Sequence, residues 1–216
     1  MGEQVIIKMN SKPIKHLLNA DDKLASLIIK IGNLTYVPHD DNSYGFLVHE
    51  ILEQMLSTKA ARKIHERLQK LCNGNITPER INSMTDEQIK SIGTSFQKVR
   101  YIRNLTNAVI DRTIIFDSLM SLSDEEAIKA LTKIQGIGNW TAKMYLIFVL
   151  NRPDVLPFED GAFLQSYKWL YNTDDVSKES IIRKCECWKP YSSIASRYMY
   201  IALDSGMTKK TVENWR

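Results

Sequence analysis

The chain has 216 residues, 44% of them hydrophobic and 25% charged, with a formal net charge of +4; that length buries a core without metals or disulfides. No apolar run approaches the ~18 residues of a membrane span, and the opening MGEQVIIKMNSKPIKHLL lacks the layout of a secretory leader. The basic balance suits an anionic partner without demanding one, and the three cysteines (Cys72, Cys185, Cys187) fit a reducing compartment and are too few for a four-cysteine iron–sulfur cluster.

Along the chain, only VIIKM near the start is strand-like, and the rest predicts an all-α fold. Phe46, Leu47, Ile51, Leu52, Met55 and Leu56 make one apolar stripe at helical spacing. Thr77-Pro78 predicts a helix start, and the segments beginning at Thr85 and Ser123 each predict a capping box closed by Gln88 and Glu126. Gly32, Asn73-Gly74-Asn75, Gly93 and Gly206 predict stops. Ala127, Ile128, Leu131 and Ile134 form a second stripe on a helix ending near Thr132.

Residues 131–142 then read LTKIQGIGNWTA. Gly136 and Gly138 bracket Ile137 in a tight turn, and Ile134 and Ile137 can plug the crook between two helices. The second helix starts with outward backbone N–H groups at Gly138, Asn139 and Trp140, which with the helix dipole suit a DNA phosphate. Taken alone, Gly-x-Gly between helices is more often a plain hairpin turn. NRPDVLPF (151–158) predicts an extended connection because Pro153 and Pro157 each disfavour helix in the preceding residue. A helix restarts near Asp160, for which Asp160 is a ready N-cap.

Four blocks in order carry a resemblance. They are FLVHEILEQMLSTKAA (46–61), GTSFQKVRYIRNL (93–105), the hairpin followed by VLPFEDGAF, and WKPYSSIASRYMYIAL (188–203). They resemble the Q-x-x-S, G-x-S-x-x-K-x-x-Y, hairpin-to-aspartate and W-[RK]-P-[WY]-R-S-x-A blocks of the helix-hairpin-helix (HhH-GPD) DNA glycosylase superfamily, in its 3-methyladenine DNA glycosylase II branch. The likeness runs from about residue 20 to 206. It implies a single domain over 1–216 with two helical lobes, one over about 40–115 and one of the N-terminal helices plus 116–216. About 40 residues precede the first strong block, too few for the β-rich N-terminal domain of larger relatives.

The resemblance implies a monofunctional glycosylase that flips a damaged base out of double-stranded DNA and hydrolyses its N-glycosidic bond, with alkylated purines of the 3-methyladenine and 7-methylguanine type as substrates. A carboxylate stabilises the oxocarbenium-like sugar and can orient water; the family register makes it Asp160 rather than its neighbour Glu159. Trp140 stands where strand-cutting members carry a lysine nucleophile, so no lyase activity is expected, and Lys143 is one helical turn off. Trp140, Tyr200 and Met144 fall on base-pocket positions, Met144 replacing a frequent tyrosine. Met55, beside Gln54, takes the place of the side chain wedged into the DNA stack. Gly136, Gly138, Asn139, Thr141, Ser57 and Lys143 are the implied phosphate contacts; Lys59, Arg62, Lys63, Lys98, Arg100, Arg103 and Lys133 are further basic candidates. The main-chain carbonyls of Thr132, Ile134 and Ile137 are placed to hold a Na+ or K+ ion, and no other cofactor, and no iron–sulfur cluster, is expected. The expected protein is a monomer with no membrane partner, cytoplasmic on the nucleoid in a bacterium or archaeon and nuclear in a eukaryote. Two alternatives stay open: a non-catalytic helix-hairpin-helix DNA-binding protein, and, because of Met144, a glycosylase for deaminated or etheno bases.

Overall fold

A computed structural model describes residues 3–39, 41–56 and 58–210. The chain divides into two compact units, residues 1–38 with 151–216, and residues 39–150. No helix among the described residues is long and apolar enough to cross a membrane.

The first unit opens with β1 (Val5–Ile7), α1 (Lys12–Ala20), α2 (Asp22–Ile31) and β2 (Leu34–Tyr36). β1 pairs antiparallel with β2, Val5 opposite Tyr36. β2 went unread in the sequence because three residues carry no periodicity. The second unit holds α3 (Ser43–Glu53), α4 (Thr58–Leu71), α5 (Pro78–Asn82), α6 (Asp86–Lys90), α7 (Phe96–Ile110), α8 (Phe116–Leu119), α9 (Asp124–Thr132) and α10 (Asn139–Phe148). The chain then returns to the first unit with α11 (Gly161–Tyr171), α12 (Lys178–Cys185) and α13 (Ser192–Asp204).

Local signals set most boundaries. Thr85 and Ser123 form reciprocal capping boxes with Gln88 and Glu126, and Thr77 caps the Pro78 helix, each satisfying N–H groups a helix start leaves bare. In the first unit α11 packs on α13 and both on α2, around the wholly buried Leu17, Leu24, Phe163, Trp188 and Tyr198. Asp21 is the polar centre of this unit. It caps α2 by accepting from the N–H groups of Lys23 and Leu24 at 3.1 and 3.0 Å. Its other oxygen accepts from the Tyr171 hydroxyl at 2.7 Å and faces the Lys184 ammonium at 3.4 Å. Burial pulls the Asp21 pKa up, but the Tyr171 and Leu24 hydrogen bonds and Lys184 outweigh it and hold the carboxyl below its usual range.

In the second unit α10 packs on α3 and α9. The buried Tyr145 of α10 donates to Ser43 Oγ at 2.9 Å and lies edge-on to Phe46 with ring centroids 6.2 Å apart. These contacts correct the lobe boundary expected near residue 115. Residues 116–150, hairpin included, belong with 39–115, because the apolar face of α10 is buried on α3.

Candidate active site

The hairpin lies in the second unit. α9 ends at Thr132 as read from sequence, and the turn closes with Ile134 N–H to Leu131 O and Ile137 N–H to Ile134 O. Ile134 and Ile137 are buried plugs. The two glycines do different work. Gly136 has φ +109°, and a Cβ there would lie 2.4 Å from the Tyr101 side chain. Gly138 is extended at φ −93° and caps α10 with no side chain, and a Cβ on it would meet nothing within 4 Å. Gly136 therefore makes the turn, while Gly138 keeps the start of α10 open to a close approach from outside. Asn139 beside it is exposed and Lys143 half-buried. Thr141 is buried, and its hydroxyl accepts from Gln54 at 3.4 Å.

The apolar stripe of α3 predicted a helix running through Leu56, but α3 stops at Glu53. Met55 adopts φ +58°, left-handed backbone that a side chain normally avoids, and its side chain is 101% exposed. Core packing is thus not its role. Gln54 is fixed instead: its amide donates to Gly136 O at 2.9 Å, tying the Met55 loop to the hairpin. Lys98 Nζ donates to Leu52 O and Gln54 O, both at 2.7 Å, closing the C-terminal end of α3. Ser57 lies outside the described residues.

This explains the block at 93–105. Ser95 caps α7 through the Lys98 N–H, Lys98 braces α3, and Tyr101 sits under Gly136. Asn104 adds a donated bond to Gln135 O at 3.1 Å. Lys98 and Arg103, read as basic candidates for phosphate, are turned inward. Arg103 pairs with Asp86 at 2.8 Å and donates to Ile81 O and Met84 O. The spacing G-x-S-x-x-K-x-x-Y held this information, but only the turn packed against it shows what each member does.

Asp160 lies in the first unit. It is the N-cap of α11, accepting from the Phe163 N–H at 2.8 Å, and is 8% exposed. Glu159 is exposed. The preceding connection is extended, as its prolines predicted, and is stapled to the start of α13. Asp154 Oδ1 accepts from the Ser192 N–H and hydroxyl at 3.1 and 2.6 Å. Ser193 Oγ takes the Val155 N–H at 2.8 Å, and Ser193 N–H reaches Pro153 O at 3.0 Å. The serines of WKPYSS thus anchor the loop that carries Asp160, a role with no periodic signature. Arg197 of the same block is buried, its guanidinium 3.7 Å from the centroid of the Tyr36 ring.

Of the implied base-pocket residues, Trp140 is half-buried and Met144 buried on α10 in the second unit. Tyr200 is half-buried on α13 in the first.

Residues 48–190 match the family described as HhH-GPD superfamily base excision DNA repair protein. The chain is 31% identical over 206 residues to DNA-3-methyladenine glycosylase 1 of Schizosaccharomyces pombe, covering 92% of this chain and 89% of that protein. A solved DNA-3-methyladenine glycosidase from Bacillus halodurans has a TM-score of 0.82 and 31% identity, with 97% of both chains covered. The solved S. pombe 3-methyladenine DNA glycosylase (Mag1) in complex with abasic DNA gives 0.80 and 31%, covering 90% of this chain and 97% of that one.

Proposed function

The chain belongs to the HhH-GPD superfamily of base excision DNA repair proteins, and on that premise we propose that it is a DNA glycosylase that removes alkylated purines by hydrolysis, without cutting the strand. The observation that carries the reading is Asp160: a buried carboxylate, held by its own helix cap at the end of a stapled loop, which the sequence resemblance assigns to catalysis.

The chemistry follows from the parts. The lesion leaves the stack, and Met55, exposed on a loop braced by Gln54 and Lys98, fills the gap it leaves. Gly138, Asn139 and the backbone N–H of Thr141 present the uncapped start of α10 to a phosphate, with Lys143 as a charged neighbour. Trp140, Tyr200 and Met144 are the residues that the resemblance assigns to the extruded base. N-alkylation gives the purine a positive charge, which weakens its glycosidic bond and favours aromatic walls. Asp160 stabilises the oxocarbenium-like sugar and orients water to it. Trp140 offers no amine, so water is the nucleophile. A monovalent cation would be held by the carbonyls of Thr132, Ile134 and Ile137. Ile134 O already accepts from Ile137 N–H and keeps a second lone pair for such an ion, which would supply positive charge for a phosphate.

Mass spectrometry of bases released from methylated, deaminated and uracil-containing duplexes tests the reading. Release of 3-methyladenine and 7-methylguanine is expected. Asp160→Asn, which still caps α11, should keep the fold and DNA binding while base release falls by about 10³-fold or more. Parent-rate excision by that variant overturns the mechanism. Release of hypoxanthine or ethenoadenine alone would replace the substrate class, and no release at all would leave a DNA-binding protein.

A further inference from the structure

The last two turns of α3 carry a charged cluster directly before the Met55 loop. His49 Nε2 stands 3.2 Å from Glu53 Oε1, one helical turn on. A ring nitrogen of His49 and one carboxylate oxygen each of Glu50 and Glu53 lie within 4.8 Å of one another. Glu53 is the final residue of α3, where the helix dipole is already negative and a carboxylate is opposed. A cation at this end offsets that opposition, and His49 supplies one as imidazolium. On the premise that Met55 is the DNA wedge, we propose that His49 is a positioning residue for it: the charged ring ties Glu53, with Glu50 beside it, to the last turn of α3 and so fixes the point from which the Met55 loop leaves the helix.

The groups around the ring favour its charged form. Burial pulls the His49 pKa down, but the Glu53 hydrogen bond and the charges of Glu53 and Glu50 outweigh it and hold the ring above its usual range. Glu53 is held below the usual carboxylate range, first by its hydrogen bond with His49. From α4, His65 stands edge-on to His49 with ring centroids 4.5 Å apart, and burial and the His49 charge hold it down to about 4. Two rings in contact thus carry one charge near neutrality, and it sits on the ring that meets Glu53. Glu66 of α4 acts on His65 and pairs with Arg62 at 3.8 Å. From α7, Lys98 adds positive charge near Glu53, while its ammonium donates to Leu52 O and Gln54 O. His39 and Asp41 line the cavity of about 430 Å³ that opens onto His49, Glu50 and His65, and α10 adds the uncharged Phe148 to its wall. Of the two cations at Glu53, the imidazole is the one whose ordinary range lies near neutrality. The tie is therefore complete below about pH 6.5 and is lost as pH rises through the raised folded value.

The test is wedge insertion by the full chain into a duplex carrying a tetrahydrofuran abasic analogue, which does not titrate. Insertion is read by the fluorescence of 2-aminopurine in the opposite strand between about pH 6 and 8.5. Parent affinity should fall about two- to fivefold across that range, the weight of one partly buried ion pair. His49→Gln should begin at the high-pH value of the parent and stay level. His49→Lys, charged throughout, should recover the low-pH value and also stay level, which a merely structural loss of the ring would not produce. In a Met55→Ala background, His49→Gln should have no further effect, because both act on one step. A level parent profile, a sloping profile in His49→Gln or His49→Lys, or a full His49→Gln effect on top of Met55→Ala would each overturn the proposal. Base release from a methylated duplex, measured alongside, keeps the two readings apart: its absence in the parent strikes the glycosylase, while the fluorescence still decides on His49.

Discussion

Gly136 and Gly138 look alike in sequence, yet the structure separates them by a single number, the backbone angle. Gly136→Ala must put a methyl group 2.4 Å from the Tyr101 side chain at φ +109°. It should cost about 2–4 kcal/mol in urea unfolding, from left-handed strain plus overpacking. Gly138→Ala meets nothing at φ −93°, so stability should change by less than about 1 kcal/mol, while DNA affinity should fall, because the proposed phosphate contact puts its approach at this position. Equal stability losses would show that both glycines serve the turn. Met55 inverts this logic. Its left-handed φ of 58° on a 101% exposed side chain is strain without packing return, as expected where function sets the residue. Met55→Gly should raise stability by about 0.5–1 kcal/mol and lower the rate of base release. A variant both more stable and fully active would remove Met55 from the mechanism.

Helices were legible where the signal was local. The boxes at Thr85 and Ser123 and the cap at Thr77 read directly, because a cap is satisfied within four residues of itself. The end of α3 did not: its apolar stripe continues through Met55 and Leu56, whereas the backbone leaves the helix at Gln54 and Lys98 takes the carbonyls of Leu52 and Gln54. Nor did Asp21, whose partners Tyr171 and Lys184 are about 150 residues away in sequence and leave no spacing to read. That carboxylate gives a signed prediction. Its folded pKa lies below the ordinary 3.8, so the stability it contributes is fully present above about pH 4 and is lost as pH falls through the folded value. Asp21→Asn should therefore cost about 1–3 kcal/mol at pH 7, and the gap between parent and variant should close below about pH 4. A gap constant from pH 7 to 3 would mean that the charge is irrelevant and only the cap counts.

At the scale of the whole molecule, the net charge of +4 overstates what is available to DNA. Several basic side chains are used internally: Lys98 and Arg103 on carbonyls, Arg67 on Ile92 O at 3.0 Å, and Arg197 buried over Tyr36. Composition could not tell these from solvated lysines, since the distinction lies entirely in which turn ends are within reach. The phosphate contact proposed for the hairpin start, moreover, runs through backbone N–H groups, which displace few counterions. Affinity for a lesion-containing duplex should accordingly fall only gently with salt, with a log–log slope of about −2 to −4, each neutralised phosphate contributing about −0.9. Lys143→Ala should make that slope shallower by about one unit. Lys98→Met should leave it unchanged and instead lower folding stability by about 1–3 kcal/mol, because two carbonyls at the end of α3 lose their donor. Titration of the parent and both variants across salt concentrations, beside their unfolding curves, separates a lysine that holds DNA from one that holds the protein. A Lys98→Met slope reduced like that of Lys143→Ala would mean that the ammonium leaves α3 when DNA binds.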